Sequence, residues 1–490
     1  MRHDPTQRRE PDKGASPNNA PEPPHPSAPQ GTDLTQGSIA RHLATLAAPM
    51  MVGMIALFAF NLIDTWFVSQ LGTEELAAIS FTFPVVMIIG SLVMGIGVGT
   101  MSVLSRSIGA SDTDRVRQLT ADALLLGLGM VAVFSVVGVM TIDPVFTLLG
   151  AEGVILEHVH SYMSVWFMGM IFLVVPMIGM SVMRATGDTT TPAIIMGVAG
   201  VINALLDPLF IFGAGPIPAL GLQGAAIATV ISRATTLLVA LYILVGRHNL
   251  VSFAAVPLRA RLESWKQLME VGLPAAASNI AVPLSGAVLT AMIASYGTHA
   301  IAAYGAASRL EMVVMLPLMA VSAGISPFAG QNWGAGRRDR VARGAQLAAL
   351  FSIAYGLVAW LGLALGADLL AGLFVEDPQA RQALTTVLTI IAPTLGIWGT
   401  MKIVTYSFNA TGQPLKAAAL NLARSPGLIL ILPALGSWLG GFDGLFYGVA
   451  VTNVLVGAAS LIWMQSLTPP SGQEYHQGGF ERVQRLQPST

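Results

Sequence analysis

Long apolar stretches alternate with short polar segments along most of the chain. A membrane-spanning helix needs about 20 mostly apolar residues. The runs are continuously apolar and do not alternate residue by residue, so they indicate helices rather than barrel strands. This pattern predicts twelve spans, which begin near Arg41, Ser80, Gln118, Val159, Thr191, Gly221, Trp265, Arg309, Gly344, Gln382, Leu415 and Phe442.

Charges sort the connecting loops into two classes. The loops after spans 1, 3, 5, 7, 9 and 11 carry Arg381 and mainly acidic residues, Glu74, Glu75, Asp143, Glu152, Glu376 and Asp377. Basic loops stay in the cytoplasm, so we expect both termini there. The basic loops follow spans 2, 4, 6, 8 and 10 and hold Arg106, Arg115, Arg117, Arg184, Arg247, Arg259, Arg261, Arg337, Arg338, Arg340, Arg343 and Lys416.

Composition supports an integral membrane protein and excludes several other classes. Hydrophobic residues make up 53% of the 490 residues and charged residues only 10%, against about 25% charged in soluble proteins. The net charge of −1 gives no basic field for nucleic acid, and the absence of cysteine excludes thiolate metal sites. The chain has no P-loop, no HExxH and no His/carboxylate cluster. We therefore expect no enzyme activity, no metal site and no ATP-driven step.

The polar segments divide the chain into five parts. Residues 1–40 are rich in proline and poor in large apolar side chains, which predicts a disordered cytoplasmic tail. We expect an N-terminal lobe of six helices at 41–246, a cytoplasmic connector at 247–264 and a C-terminal lobe of six helices at 265–466. A second cytoplasmic tail is expected at 467–490.

The two halves of the chain share a sequence repeat. "LGTEELAA" from Leu71 matches "YGTHAIAA" from Tyr296, 225 residues later, and the same offset pairs "GASDTDRV" from Gly109 with "GAGRRDRV" from Gly334. Six spans per copy is an even number, so both copies enter the membrane the same way up. The sequence therefore predicts an all-α membrane protein with two six-helix lobes related by a parallel repeat. Transporters of this build bind substrate near the midplane and rock one repeat against the other.

Ionisable residues inside spans are functional candidates because they are costly in a bilayer. Asp64 in span 1 and Asp207 in span 5 each lie about 9 Å from the outer end of the span, at 1.5 Å per residue. Asn61 and Asn203 lie three and four residues before them, on the same helix faces. With Thr229 of span 6, these residues predict a proton or cation site. Structural alternatives, in which either aspartate caps a broken helix or extends to the interface, remain open.

The repeat makes the acidic site asymmetric. At the offset of 225 residues Asp207 corresponds to Leu432 and Asp64 to Leu289, whereas Pro208 still corresponds to Pro433. A purely structural role would more naturally occur in both copies. The asymmetry therefore favours a dedicated ion site in the N-terminal lobe.

Other polar residues of the spans have less defined roles. Pro49 in span 1 removes one helical hydrogen bond, which predicts a hinge that responds to the protonation of Asp64. Lys402 and Arg424 lie near the cytoplasmic ends of spans 10 and 11. They either extend to the interface, form pairs or line a substrate cavity. For Arg233, Arg309 and Glu311 we favour structural pairing or extension to the interface.

Several motifs together resemble one transporter family. "RATGDTTTPAIIMGVAGVINALLDPLFIFG", "GLQGAAIAT", "YGTHAIAAYGAASRLE" and "GQNWGAGRRDRV" are similar to the multidrug and toxic compound extrusion (MATE) family over roughly residues 41–465. The resemblance implies export of bulky, often cationic or aromatic compounds in exchange for H⁺ or Na⁺, without a cofactor. It implies that Asp64, Asn203 and Asp207 carry the coupling site, together with Tyr162 and Thr229.

Two departures from the family pattern refine this expectation. The span 4 asparagine of many members is missing around Met180, and the span 7 glutamate of the NorM-like branch is missing around Val282. The chain therefore looks closer to the DNA-damage-inducible protein F branch, which favours H⁺. We expect a monomeric drug exporter in a bacterial-type plasma (inner) membrane, with small drug-like molecules as substrates. Na⁺ coupling and a lipid-linked oligosaccharide flippase are the alternatives.

Overall fold

The protein is seen in a computed structural model that describes residues 32–252, 254 and 256–468. That part of the chain is almost entirely helical, which confirms the predicted all-α class. The N-terminal lobe consists of α1 (Ile39–Ser69), α2 (Thr73–Gly109), α3 (Thr113–Leu148), α4 (Gly153–Met168), α5 (Met170–Ala185), α6 (Thr190–Ile211) and α7 (Gly221–Leu241), the last extended by a π-turn, Tyr242–Arg247.

The C-terminal lobe repeats this order. It consists of α8 (Leu258–Ala294), α9 (Thr298–Gly334), α10 (Arg338–Phe374), α11 (Pro378–Ile391), α12 (Leu395–Ala410), α13 (Pro414–Leu422) and α14 (Ile429–Met464). A 3-10 turn, Ala392–Thr394, joins α11 to α12, and a π-turn, Ala423–Leu428, joins α13 to α14. In both lobes the fourth span is thus built from two helices, α4 with α5 and α11 with α12.

The described helices account for the twelve predicted spans. Ten helical runs are each long and apolar enough to cross a membrane, and α4 with α5, bent by 47°, makes an eleventh. The run Pro414–Leu467 holds 54 residues, or about 80 Å of helix, against about 30 Å of hydrocarbon. Its backbone leaves the helical region at Gly440 and Gly441 and doubles back. This run therefore supplies two spans.

Most helices begin before the predicted spans do. The largest difference is in α9, which begins at Thr298 and not near Arg309, because membrane helices extend past the apolar layer that hydropathy detects. Similarly, α8 begins at Leu258, so the later part of the predicted connector 247–264 is helical. The predicted tail at 467–490 lies outside the described residues from 469 onward.

We call the end of the bundle where α1 begins the basic end, and the opposite end the acidic end, after the loop charges. The lobes meet in the basic half, where α2 packs closely on α8. A Cβ built on Gly99 would lie 2.2 Å from the carbonyl oxygen of Leu268, and one on Gly95 would lie 2.4 Å from that of Gly272. Only glycine allows two helix backbones to approach this closely.

Polar contacts reinforce the closed basic end. The guanidinium of Arg261 (α8) lies 3.2 Å from the carboxylate of Asp122 (α3), which is 1% exposed. Trp265 Nε1 donates to the Asp122 carbonyl oxygen at 2.8 Å. Arg115 donates to Ser264 at 3.2 Å and to Gln267 at 2.9 Å. Among the described residues, the hydrogen bonds between lobes lie in this half, so the acidic halves are free to separate.

The segment before α1, residues 32–38, forms an N-terminal strap across the basic end. Leu34 is 1% exposed, and its backbone N–H donates to Gln331 Oε1 at 3.3 Å. The Leu34 carbonyl accepts from Asn332 Nδ2 at 3.0 Å. Arg337 and Arg340 donate to the carbonyls of Thr35 and Gly37 at 2.9 and 3.0 Å. The strap is therefore fixed to the C-terminal lobe through its backbone.

Gln331 also joins the strap to the N-terminal lobe. While its Oε1 accepts from the strap, its Nε2 donates to the carbonyl of Ala185 at 2.8 Å. Within the strap, the hydroxyl and N–H of Thr35 donate to Asp33 and lower the pKa of that carboxyl. The predicted disorder of residues 1–40 is thus corrected for residues 32–40, which form the hydrogen-bonded strap and the start of α1. Residues 1–31 lie outside the described part.

We expect the strap to stabilise closure of the basic end. Leu34→Asp places a carboxylate in a buried apolar site and is expected to shift the protein toward states with the basic end open. The natural chain has no cysteine, so Asp114→Cys and Asp339→Cys allow spin labelling of the two lobes and measurement of their distance by pulsed electron resonance. The distance distribution is expected to gain a longer component.

The matched control is Gln36→Asp, which adds the same charge at an exposed side chain of the strap. This control is expected to leave the distances unchanged. Identical distributions of the distance between the two labels in Leu34→Asp and in the protein with its natural strap would contradict a role of Leu34 in closing the basic end.

Candidate functional site

The N-terminal lobe contains a buried acidic site on α6. Asn203 and Asp207 are one helical turn apart on the same face, and both are 0% exposed. Asn203 Nδ2 donates to the hydroxyl of Thr229 on α7 at 3.3 Å. The structure therefore brings together the predicted residues of spans 5 and 6.

Close packing of α6 on α7 positions these groups. Ser232 donates to the carbonyl of Ala199 at 2.5 Å, and a Cβ built on Gly224 would lie 2.2 Å from the carbonyl oxygen of Phe210. One contact lies on each side of Thr229 along α7. They fix the Thr229 hydroxyl beside Asn203.

The acidic groups lack hydrogen-bond donors. Both carboxylate oxygens of Asp207, Oδ1 of Asn203 and Oδ1 of Asp64 are buried without a hydrogen-bond partner among the described residues. Asp64 lies close enough to Asp207 to interact with it electrostatically, and Tyr162 on α4 lies close to both. Buried polar atoms are normally partnered. A cluster of unpartnered acceptors around two carboxyl groups is suited to hold a proton or a small cation.

Asn61 is the predicted member that the structure does not bring into this cluster. Its side chain is exposed, and its Nδ2 donates to the carbonyl of Leu57 at 2.8 Å, one turn back on α1. The spacing of three residues does place Asn61 and Asp64 on one face of α1. The amide of Asn61, however, donates to the backbone of its own helix. The contribution of Asn61 to ion coupling stays a prediction, and in this structure its side-chain oxygen is the group left for it.

Pro49 lies inside α1, which continues through it without a break in the helix. It lines a groove of about 730 Å³ between α1 and α6, whose other lining residues are almost all apolar. The hinge role of Pro49 stays a prediction.

Lys402 and Arg424 lie inside the C-terminal lobe, around Trp398. The Arg424 guanidinium carbon is 4.2 Å from the centre of the Trp398 ring, and Lys402 Nζ is 6.0 Å from it. Asn453 on α14 accepts from Arg424 and is 1% exposed. Sequence reasoning missed Trp398 and Asn453. The signal for Asn453 was an amide inside the apolar run "VAVTNVLVGAA".

The lobes therefore differ in the charge of their interiors. In the repeat, Arg424 corresponds to Ala199, next to the acidic site, and Asp207 corresponds to Leu432. At these two sites the scaffold carries carboxylates in the N-terminal copy and cations in the C-terminal copy.

The family model described as MatE matches residues 49–209 and 274–434, two stretches that are again 225 residues apart. The chain belongs to the MATE family. This MATE transporter is a multi-pass membrane protein and not an enzyme, and the family's transporters need no cofactor.

Individual relatives differ in what they carry. The MATE transporter is 39% identical to a protein of Shewanella oneidensis named FAD transporter, over 89% of this chain and 97% of that protein. It is 26% identical to the multidrug export protein MepA of Staphylococcus aureus, over 84% and 91% of the two chains. The crystal structure of the Vibrio cholerae MATE transporter VcmN in its bent form matches with a TM-score of 0.82 and 30% identity, over 88% and 97%.

Removal of the unpartnered charge is expected to stabilise the transporter. Asp207→Asn keeps the shape of the side chain but removes the charge of a group that has no hydrogen-bond donor among the described residues. An unsatisfied buried polar group costs about 1–3 kcal/mol, more when charged. Alkaline pH favours the ionised carboxylate, so we expect a higher Tm for this variant in detergent at pH 9.

The control for this measurement is Asp143→Asn, whose side chain is 65% exposed, and which is expected to leave Tm unchanged. A lower Tm for Asp207→Asn would show that the carboxylate makes stabilising contacts and would contradict the unpartnered geometry.

Proposed function

We propose that this MATE transporter exports bulky aromatic compounds in exchange for protons, and that Asp207 and Asp64 carry the proton. The observation that supports this best is that both oxygens of Asp207 are buried and have no hydrogen-bond partner in the part of the chain that the structure describes. A proton on such a carboxyl supplies the missing donor and removes a charge that is expensive inside a membrane. The absence of an acid near Val282 is the reason for assigning the DNA-damage-inducible protein F-like branch.

The closed basic end gives the transport step a direction. Under the positive-inside rule the basic end faces the cytoplasm, with both termini in the cytoplasm of a bacterial-type cell and the acidic half open to the outside. Protons then reach Asp64 and Asp207 from outside. Protonation lets α1 and α6 pack more closely, which favours release of substrate outward and reopening toward the cytoplasm.

Na⁺ is the alternative coupling ion. The unpartnered oxygens of Asp207, Asn203 and Asp64 also form an oxygen-lined site for a small cation. What distinguishes the ions is whether a pH gradient drives transport without a Na⁺ gradient.

We expect an acidic lumen alone to drive substrate uptake into inverted membrane vesicles, with ethidium and FAD as the two test substrates. Asp207→Asn and Asp64→Asn are each expected to lower the uptake rate at least tenfold, because the amide of asparagine does not bind a proton in this pH range. Asp143→Asn is the matched control and is expected to transport normally. Full activity of both site variants would contradict the assignment of the site, and drive by Na⁺ alone would contradict proton coupling.

Pro49→Ala tests the hinge in the same vesicles. Alanine restores a hydrogen-bond donor inside α1 and removes the clash that favours bending, so we expect a severalfold lower transport rate with unchanged expression. Transport at the normal rate would rule out the hinge.

Flavin dinucleotides are a second candidate for the substrate. The relative named FAD transporter is the more similar of the two relatives described above, at 39% identity. FAD combines flat aromatic rings with a negatively charged pyrophosphate, whereas the drugs expected from the family resemblance are often cationic. Two cations inside the C-terminal lobe favour the anionic class.

A further inference from the structure

Three side chains form a basic cluster in the interior of the C-terminal lobe: Arg424, Lys402 and Trp398. The two cations lie 4.2 and 6.0 Å from the Trp398 ring centre, and all three side chains keep part of their surface exposed. Cations and an aromatic ring at this separation attract one another. The cluster thus combines positive charge with a flat apolar surface.

The free polar groups of the basic cluster are hydrogen-bond donors. Arg424 is held in place, because its Nε and Nη2 donate to Asn453 Oδ1 at 3.3 and 3.2 Å and its Nη1 donates to Ser425 at 3.3 Å. Lys402, in contrast, makes no hydrogen bond to any described residue. Trp398 Nε1 is buried and has no partner in the described part of the chain. Unpartnered donors next to a fixed guanidinium are suited to an anion.

The charges of the basic cluster are not balanced within the lobe. Glu311 on α9 interacts electrostatically with Arg424, but no carboxylate oxygen of the described residues lies within the 4.0 Å of a salt bridge to either cation. Tyr304, also on α9, is the other titratable group near Arg424. Two cations thus face one acid. A cluster with only a structural role would be expected to pair its charges directly.

The backbone at Arg424 is irregular. The π-turn Ala423–Leu428 interrupts the span, and Ser425 has φ −133° and ψ 112°, outside the helical region. Transporter sites are typically built where a span is discontinuous, and π-turns are frequent at functional sites. At this break in the helix the guanidinium of Arg424 lies beside Trp398 and Asn453.

We propose that the basic cluster is the subsite for an aromatic substrate that carries phosphate groups, such as a flavin nucleotide, with phosphate on Lys402 and Arg424 and a ring on Trp398. Guanidinium and ammonium groups are the usual phosphate partners in proteins, and flat rings stack on indole. This inference rests on the proposed export function and names its substrate class.

The test measures equilibrium binding of ligands to the purified full-length protein in lipid nanodiscs, and the change in flavin fluorescence reports the binding. The ligands are FAD, FMN and riboflavin, which share one ring system but differ in phosphate. We expect FAD and FMN to bind at least tenfold more tightly than riboflavin. Lys402→Met and Arg424→Gln are each expected to weaken FAD binding at least tenfold with little effect on riboflavin, whereas Trp398→Leu weakens all three ligands.

Two choices protect the test from misfolding. Lys402→Met removes no hydrogen bond of the described structure, so loss of FAD binding in this variant cannot come from a lost internal hydrogen bond such as that of Arg424 to Asn453. Arg233→Gln is the matched control, because Arg233 is a cation in a span of the N-terminal lobe, 5.7 Å from the Phe60 ring centre. This control is expected to bind FAD normally.

Equal affinity for FAD and riboflavin, or normal FAD binding by both Lys402→Met and Arg424→Gln, overturns the proposal. Competition by inorganic pyrophosphate alone supports the phosphate contact.

Failure of the subsite is distinguishable from failure of the export function. If an acidic lumen still drives ethidium uptake, export stands without the subsite, and if FAD binds while no gradient drives uptake, the subsite stands without export.

Discussion

The close packing of α2 on α8 is the contact on which the rest of the arrangement depends. Glycines at positions 95, 99 and 272 let the backbones approach within a distance that any side chain would prevent. With the lobes held there, Asp122 and Arg261 meet across the interface, and the strap crosses the same end. These contacts hold the two lobes together at the basic end.

Within this frame the duplicated lobes have opposite electrostatic character. Among the described residues, the N-terminal interior offers unpartnered acceptors at Asp207, Asn203 and Asp64, and the basic cluster offers an unpartnered donor at Trp398 beside Lys402. Each set is costly inside a bilayer if it stays unpaired. A bound ligand that supplies the missing partners reduces this free-energy cost. That ligand is a proton or a cation in the N-terminal lobe and an anion in the C-terminal lobe. The physical requirement of satisfying buried polar groups thus gives each lobe a different task.

The sequence allowed the fold and part of the site to be predicted, for physical reasons that also explain the failures. Span number and lobe repeat follow from hydropathy and a constant offset, and Asn203 and Asp207 share a face because they are one turn apart. The position of Asn61 depended on a side-chain hydrogen bond that spacing does not reveal. Leu34 was missed because composition describes a whole tail and not a single docking residue. Trp398 became significant only when the fold brought α12 beside Arg424.

The unequal interiors also bear on how such a protein diversifies. Because the acidic site and the basic cluster lie in separate copies of the scaffold, a substitution in one of them removes no residue of the other. Selection acting on cargo is then free to alter the second copy without disturbing energy coupling in the first. This modularity accounts for how one architecture serves relatives named for cargoes as different as drugs and a flavin dinucleotide.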